Sequence, residues 1–156
     1  NDETKYVRQL NFTVPSNATS VKIVATITGH GFGQDGENCA EFCDHEHHYT
    51  MGQHHAYEWH PIVHDTEGCE NEVRNGVVAN QYGSWPFGRA GWCAGQNVEQ
   101  WIYNITDWVD NATNNTNHLI YRGLFNGAEY VPSDGIGNGG RNIRADVWIV
   151  FYGPTT

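Results

Sequence analysis

Positive charge is scarce in this chain. Eight lysines and arginines stand against eighteen aspartates and glutamates in 156 residues, a net charge of −10 with histidine neutral. Nucleic acids and anionic membrane surfaces are bound through basic patches, so the balance argues against both as partners. Long apolar runs are also missing: nothing approaches the roughly 18 consecutive apolar residues of a membrane-spanning helix. Serine occurs four times, never in a nucleophile elbow with a histidine and an acid to activate it. The chain opens on Asn1 with no initiator methionine and no visible signal peptide, the pattern of a mature protein or an excised domain. Neither an internal repeat nor a linker interrupts it, so residues 1–156 read as one domain, long enough for a real core.

What is present points outside the cell. Four cysteines, an even number, fit disulfides in an oxidising compartment. N-x-[ST] sequons begin at Asn11, Asn17, Asn104, Asn111 and Asn114. The pairing of Cys39, Cys43, Cys69 and Cys93 is open at this point, and a zinc site is the alternative. Their spacing does not match the usual C-x₂-C pairs of such sites. The reading is a secreted, glycosylated, disulfide-bonded protein.

Periodicity indicates short strands joined by polar turns. From Arg8 to Val14, Leu10, Phe12 and Val14 share a face and Asn11 takes the other, which turns the first sequon outward. Val21, Ile23, Ala25 and Ile27 alternate in the same way. His118 to Phe125 and Asp146 to Tyr152 are rich in aromatic and β-branched residues and read as strands. The second is apolar on both faces, which predicts a central strand. Val98 to Val109 fits a helical period on paper, but its composition favours a strand and a turn. Asp110 to Asn117 reads as an exposed loop. Gly29 to Ala94 reads as loop-rich and holds every cysteine and most histidines. Loops on a rigid sandwich are where function concentrates. Gly135 to Gly140 contains G-x-G-x-x-G, but a strand-like segment follows where a dinucleotide site needs a helix, so it reads as a loop.

Two short motifs carry the chemistry. In Cys39-Ala40-Glu41-Phe42-Cys43 a carboxylate sits between cysteines. In Trp85-Pro86-Phe87-Gly88-Arg89-Ala90-Gly91-Trp92-Cys93 a guanidinium and two indoles lead to another cysteine. These groups grip a polar, ring-shaped ligand such as a sugar: aromatic faces stack on it and the planar arginine fork bonds its hydroxyls. A structural reading stands beside this one, with Glu41 and Arg89 as an ion pair and Trp92 packed in a core.

Together the motifs resemble the C-terminal domain of the peptide-N-glycosidase F family, amidases that remove N-linked glycans from asparagine. The similarity runs from about Val14 to Phe151. It implies an all-β jelly-roll sandwich of about eight antiparallel strands with long, disulfide-stapled loops. It also implies the pairings Cys39–Cys43 and Cys69–Cys93. By loop entropy the longer bridge contributes about 3.5 kcal/mol and the shorter about 2 kcal/mol, so the shorter mainly sets local shape. The resemblance puts Glu41 and Arg89 in catalytic positions and His30, Trp85 and Trp92 against the glycan, with no cofactor required. The chain departs from the family at three places. Gly29-His30-Gly31-Phe32 replaces a Gly-Trp-Gly-His run, Gly88 replaces an aspartate, and His45-Glu46-His47 replaces arginine-threonine-histidine. The family joins two jelly rolls with its active site between them, and the acid that activates water lies in the other one. The resemblance therefore implies half of a catalytic machine.

The histidines form a second candidate site. Residues two apart on a strand share a face, so His45 and His47 are candidate ligands for one Zn or Cu ion. A double jelly roll with a His-x-His copper site also occurs in the peptidylglycine hydroxylating monooxygenases, although only that tripeptide is shared. A solvated, histidine-rich surface is the alternative.

Three functional classes follow. One is half of an N-glycan-releasing amidase, contributing to a glycan-binding cleft, inactive alone and partnered by a second jelly-roll domain. Another is a non-catalytic glycan-associated module. The third is a structural subunit of an extracellular assembly of copies of itself, in which Lys5 to Val14 would pair with a neighbour's sheet edge instead of at home.

Overall fold

The computed structural model describes residues 6–31, 40–63, 65–79, 83–112, 114–130 and 142–154. Within them the chain is an all-β jelly-roll sandwich of antiparallel strands. In chain order these are β1 (Val7–Phe12), β2 (Ser20–His30), β3 (His45–Met51), β4 (His54–Trp59), β5 (Trp101–Asn104), β6 (Asn117–Phe125), β7 (Ala128–Glu129) and β8 (Asn142–Tyr152). One sheet has the order β1-β6-β3-β4, with β7 added beside β6; the other has the order β5-β2-β8. A short 3₁₀ helix, Glu70–Asn75, lies in the long connection between β4 and β5.

The two sheets meet over an apolar core whose pattern is strictest in β2. Val21, Ile23, Ala25 and Ile27 are at most 2% exposed, and they share one cluster with Tyr49, Met51, Leu119 and Tyr121 from the other sheet. Each fully buried aliphatic or aromatic side chain stabilises the fold by roughly 1.5–3 kcal/mol. The β6–β7 turn is Asn126-Gly127, both at positive φ (52° and 78°), the pair a two-residue hairpin matching strand twist demands.

The strand at Val21 to Thr28 lies as its alternation predicts, and Val98 to Val109 resolves into β5 followed by a turn. β1 pairs at home, with β6. All five sequon asparagines are exposed. Two expectations need correction. The stretch from Gly29 to Ala94 contains the β3–β4 hairpin, because His45, His47, Tyr49 and Met51 alternate inward despite their mixed polarity. Among the described residues β8 pairs with β2 alone, so it is an edge strand, and its second apolar face is open: Trp148 is 66% exposed. The glycine-rich run at 135–140 and the Cys39 end of the expected Cys39–Cys43 bridge lie outside the described residues.

Candidate functional site

Three backbone segments are laced together at one end of β2. Gly29 N–H donates to Ala90 O at 2.9 Å, Ala90 N–H donates to Glu41 O at 2.9 Å, and Glu41 N–H donates to Gly31 O at 3.2 Å. Glycine is required at two of these contacts. A Cβ on Gly29 would overlap the Ala40 carbonyl, and a Cβ on Gly91, whose φ is +81°, would overlap the Ile27 carbonyl oxygen. The lacing carries Glu41 and Arg89 to the same point.

Arg89 is completely buried, and its Nε donates to Glu41 Oε1 at 2.6 Å. Its outer nitrogens donate to the Ser84 carbonyl at 2.9 Å, the Ser84 hydroxyl at 3.2 Å and the Trp85 and Phe87 carbonyls at 3.4 Å. The guanidinium carbon lies 4.9 Å from the Trp92 ring centre and 5.2 Å from that of Phe42. A buried cation satisfied this fully is a fixed post. Glu41 is different: its side chain keeps 18% of its surface, and among the described residues Oε2 has a single 3.3 Å bond, from Gly31 N–H. The ion-pair reading is therefore correct, and it leaves the carboxylate partly open to a ligand.

Aromatic groups flank the carboxylate. Trp92 donates its indole N–H to Gly29 O at 2.9 Å and stacks on His30, with ring centres 5.4 Å apart. His30 bonds the Thr28 hydroxyl at 2.8 Å. Its pKa is lowered, by burial first and by the Arg144 charge second, which keeps the ring neutral at physiological pH. The tryptophan packed against the disulfide is Trp85, in a small cluster with Val77, Cys69 and Cys93, whereas Trp92 faces His30. The Cys69–Cys93 bridge is formed as the resemblance implied. Gly88 also has a packing reason, since a Cβ there would overlap the Ile62 carbonyl.

His45 and His47 share a face of β3, but that face is the inter-sheet core, and both are fully buried. His47 bonds the Tyr121 hydroxyl through Nδ1 at 2.9 Å and His60 through Nε2 at 3.0 Å. Both ring nitrogens of His47 are thus engaged by protein groups. No group of three or more histidines, cysteines or carboxylates arranged to hold a metal ion occurs among the described residues. The outward residues of the hairpin do form the histidine-rich surface: His48 contacts Glu46 and His55, each at 2.8 Å.

Sequence reasoning missed Glu58. It lies on β4, two residues beyond the buried Ala56 and on the same inward face, 8% exposed. Burial raises its pKa to about 8. The signal available was the alternation of His54 to Trp59, hidden by the polarity of its inward positions.

Fold and site define a two-sheet jelly roll that presents a carboxylate, clamped by a buried arginine and flanked by an indole, at the loops of one end. The family model for the C-terminal part of peptide-N-glycosidase F matches residues 1–136, and the chain belongs to that family. Among solved structures it is similar to PNGase F, a glycosylasparaginase from Flavobacterium meningosepticum. The TM-score is 0.65 at 22% identity, over 94% of this chain and 44% of that one. It is also similar to a peptide-N(4)-(N-acetyl-β-D-glucosaminyl) asparagine amidase, with a TM-score of 0.60 at 22% identity over 96% of this chain and 47% of that one. The chain thus spans less than half the length of the structures it matches. No curated protein matches the sequence.

Proposed function

We propose that this chain is one secreted, glycosylated domain, residues 1–156, that supplies one wall of an N-glycan-binding cleft and is completed by a second jelly-roll domain. The observation that carries this reading is the Glu41 carboxylate, held at 2.6 Å by a buried guanidinium and still partly exposed. Glu41 accepts hydrogen bonds from the sugar or its amide, Trp92 and His30 give an aromatic wall, and Trp85 extends it above the disulfide. Arg89 is a positioning residue, since its donors are turned to protein oxygens and the Cys69 sulfur and its effect passes through Glu41. Amide hydrolysis needs an activated nucleophile as well as stabilisation of the developing oxyanion, and one carboxylate does not provide both. The relatives' printed names, an asparagine amidase and a glycosylasparaginase, support the ligand class.

Titration calorimetry with an N-glycopeptide tests the reading. The wild-type chain binds, and Glu41→Gln, which keeps the shape and loses the charge, weakens binding by about tenfold or more. Arg89→Lys, which cannot hold the same fork of contacts, weakens it comparably. Equal affinity in Glu41→Gln and wild type would remove Glu41 from the cleft.

A further inference from the structure

Among the described residues β4 ends one sheet and β5 ends the other. Between them lies a cavity of about 770 Å³, walled in part by Glu58, Trp59, His60, Trp92, Glu99 and Trp101. That volume belongs to small-molecule sites and is far too large for a packing defect. Its wall includes Glu58, whose Oε2 is buried without a hydrogen-bond partner. The hydroxyl of Tyr49, also buried, is in the same condition, and its ring stacks on Trp101 at 5.1 Å. Buried polar atoms left unsatisfied destabilise a fold, so each calls for a reason.

We propose that this cavity binds a neutral saccharide of one or two rings, at a site separate from the Glu41 cleft. The half-exposed indole of Trp59 offers an apolar face of the kind that stacks on sugar rings, while Trp101, stacked on Tyr49 and Tyr103, forms a rigid part of the wall. The amides of Asn75, Gln96, Asn97 and Gln100 offer both donors and acceptors, which suits hydroxyl groups. Glu58 adds a carboxyl from the β4 side. Glu72 and Glu99 put negative charge on the walls, and no lysine or arginine is among the described lining residues, so an acidic sugar is rejected. Burial keeps the Glu58 carboxyl protonated and able to donate. Trp92 belongs to this wall and to the Glu41 cleft, so the two sites are one indole apart. The inference uses neither Glu41 nor Arg89 and stands or falls without them.

The test is a titration of the intact chain with mannobiose, N,N′-diacetylchitobiose and 3′-sialyllactose, followed by tryptophan fluorescence and calorimetry. It is run in wild type and in Glu41→Gln, where binding at the other cleft is weakened. A neutral disaccharide binds in both. Glu58→Gln and Trp59→Ala each weaken that binding by about tenfold or more. Sialyllactose does not bind. Trp59 is 54% exposed, and Glu58→Gln preserves shape, so neither change removes core packing; an unaltered far-ultraviolet spectrum checks this. Absence of neutral-sugar binding up to about 10 mM overturns the proposal, as does an affinity insensitive to both substitutions. Equal binding of sialyllactose overturns the ligand class. Binding lost in Glu41→Gln alone overturns the cavity site and leaves the proposed function intact.

Discussion

Glu58 and the His47–His60 pair impose opposite pH dependences on folding. Burial holds Glu58 protonated up to about pH 8, against an ordinary value of 4.5. The native state therefore keeps a proton that the unfolded chain has released, and stability falls as pH rises from 4.5 toward 8. Burial lowers both histidines, His60 to about 4, so the native state refuses protons that the unfolded chain takes up. Their contribution is lost as pH falls below 6.5. The histidines, with His30 lowered as well, outweigh the one proton of Glu58 on the acid side, and above it Glu58 acts alone. The domain is accordingly most stable near pH 6.5, with an alkaline slope approaching about 1.4 kcal/mol per pH unit. Thermal melts between pH 5 and 8 measure this, and Glu58→Gln flattens the alkaline limb while leaving the acid limb. An alkaline limb unchanged in that variant contradicts the assignment. At this scale Glu41 and Arg89 were legible, because each sits in a motif of fixed spacing. Glu58 was not, because its burial depends on a hairpin partner and on the facing sheet, and neither is local in sequence.

Strands and loops were legible in proportion to how far their polarity follows their burial. β2 alternates from Ser20 to Ile27 and was readable at once, whereas β3 and β4 place histidines and a glutamate inward and read as loop. The apolar character of β8 was real, but an open edge produces it as well as a central position does, and only the pairing distinguishes them. Two element-scale predictions follow from the loops that present the site. Gly91→Ala puts a side chain at φ +81° and against the Ile27 carbonyl. It should destabilise the domain by about 1–3 kcal/mol or more, read as a lower urea midpoint. A midpoint equal to wild type would show that the loop yields. Replacing Cys69 and Cys93 with serine opens a loop whose ends are 24 residues apart in sequence. The expected loss is about 3.5 kcal/mol, with a change in Trp85 fluorescence. A melt unaffected by the double replacement contradicts a stabilising role.

On the proposed reading, the loops at one end of the sandwich form one wall of a cleft that a second jelly-roll domain completes. The chain spans less than half of the amidase structures it matches, and the single carboxylate of Glu41 does not supply both an activated nucleophile and stabilisation of the oxyanion. The purified chain is therefore expected to release no glycan from a denatured glycoprotein, and measurable release would mean that one jelly roll suffices. Binding is the more direct test, because six tryptophans report on separate regions. Trp85 packs beside the disulfide, Trp92 lies against the Arg89 guanidinium and also in the cavity wall, Trp59 and Trp101 line the cavity, and Trp148 lies on the open face of β8. The measurement is the indole N–H spectrum of the ¹⁵N-labelled chain titrated with an N-glycopeptide. The account predicts that the Trp92 resonance moves first and furthest, that Trp148 stays, and that Glu41→Gln suppresses the shift. Movement confined to Trp148, or no movement at all, would contradict it.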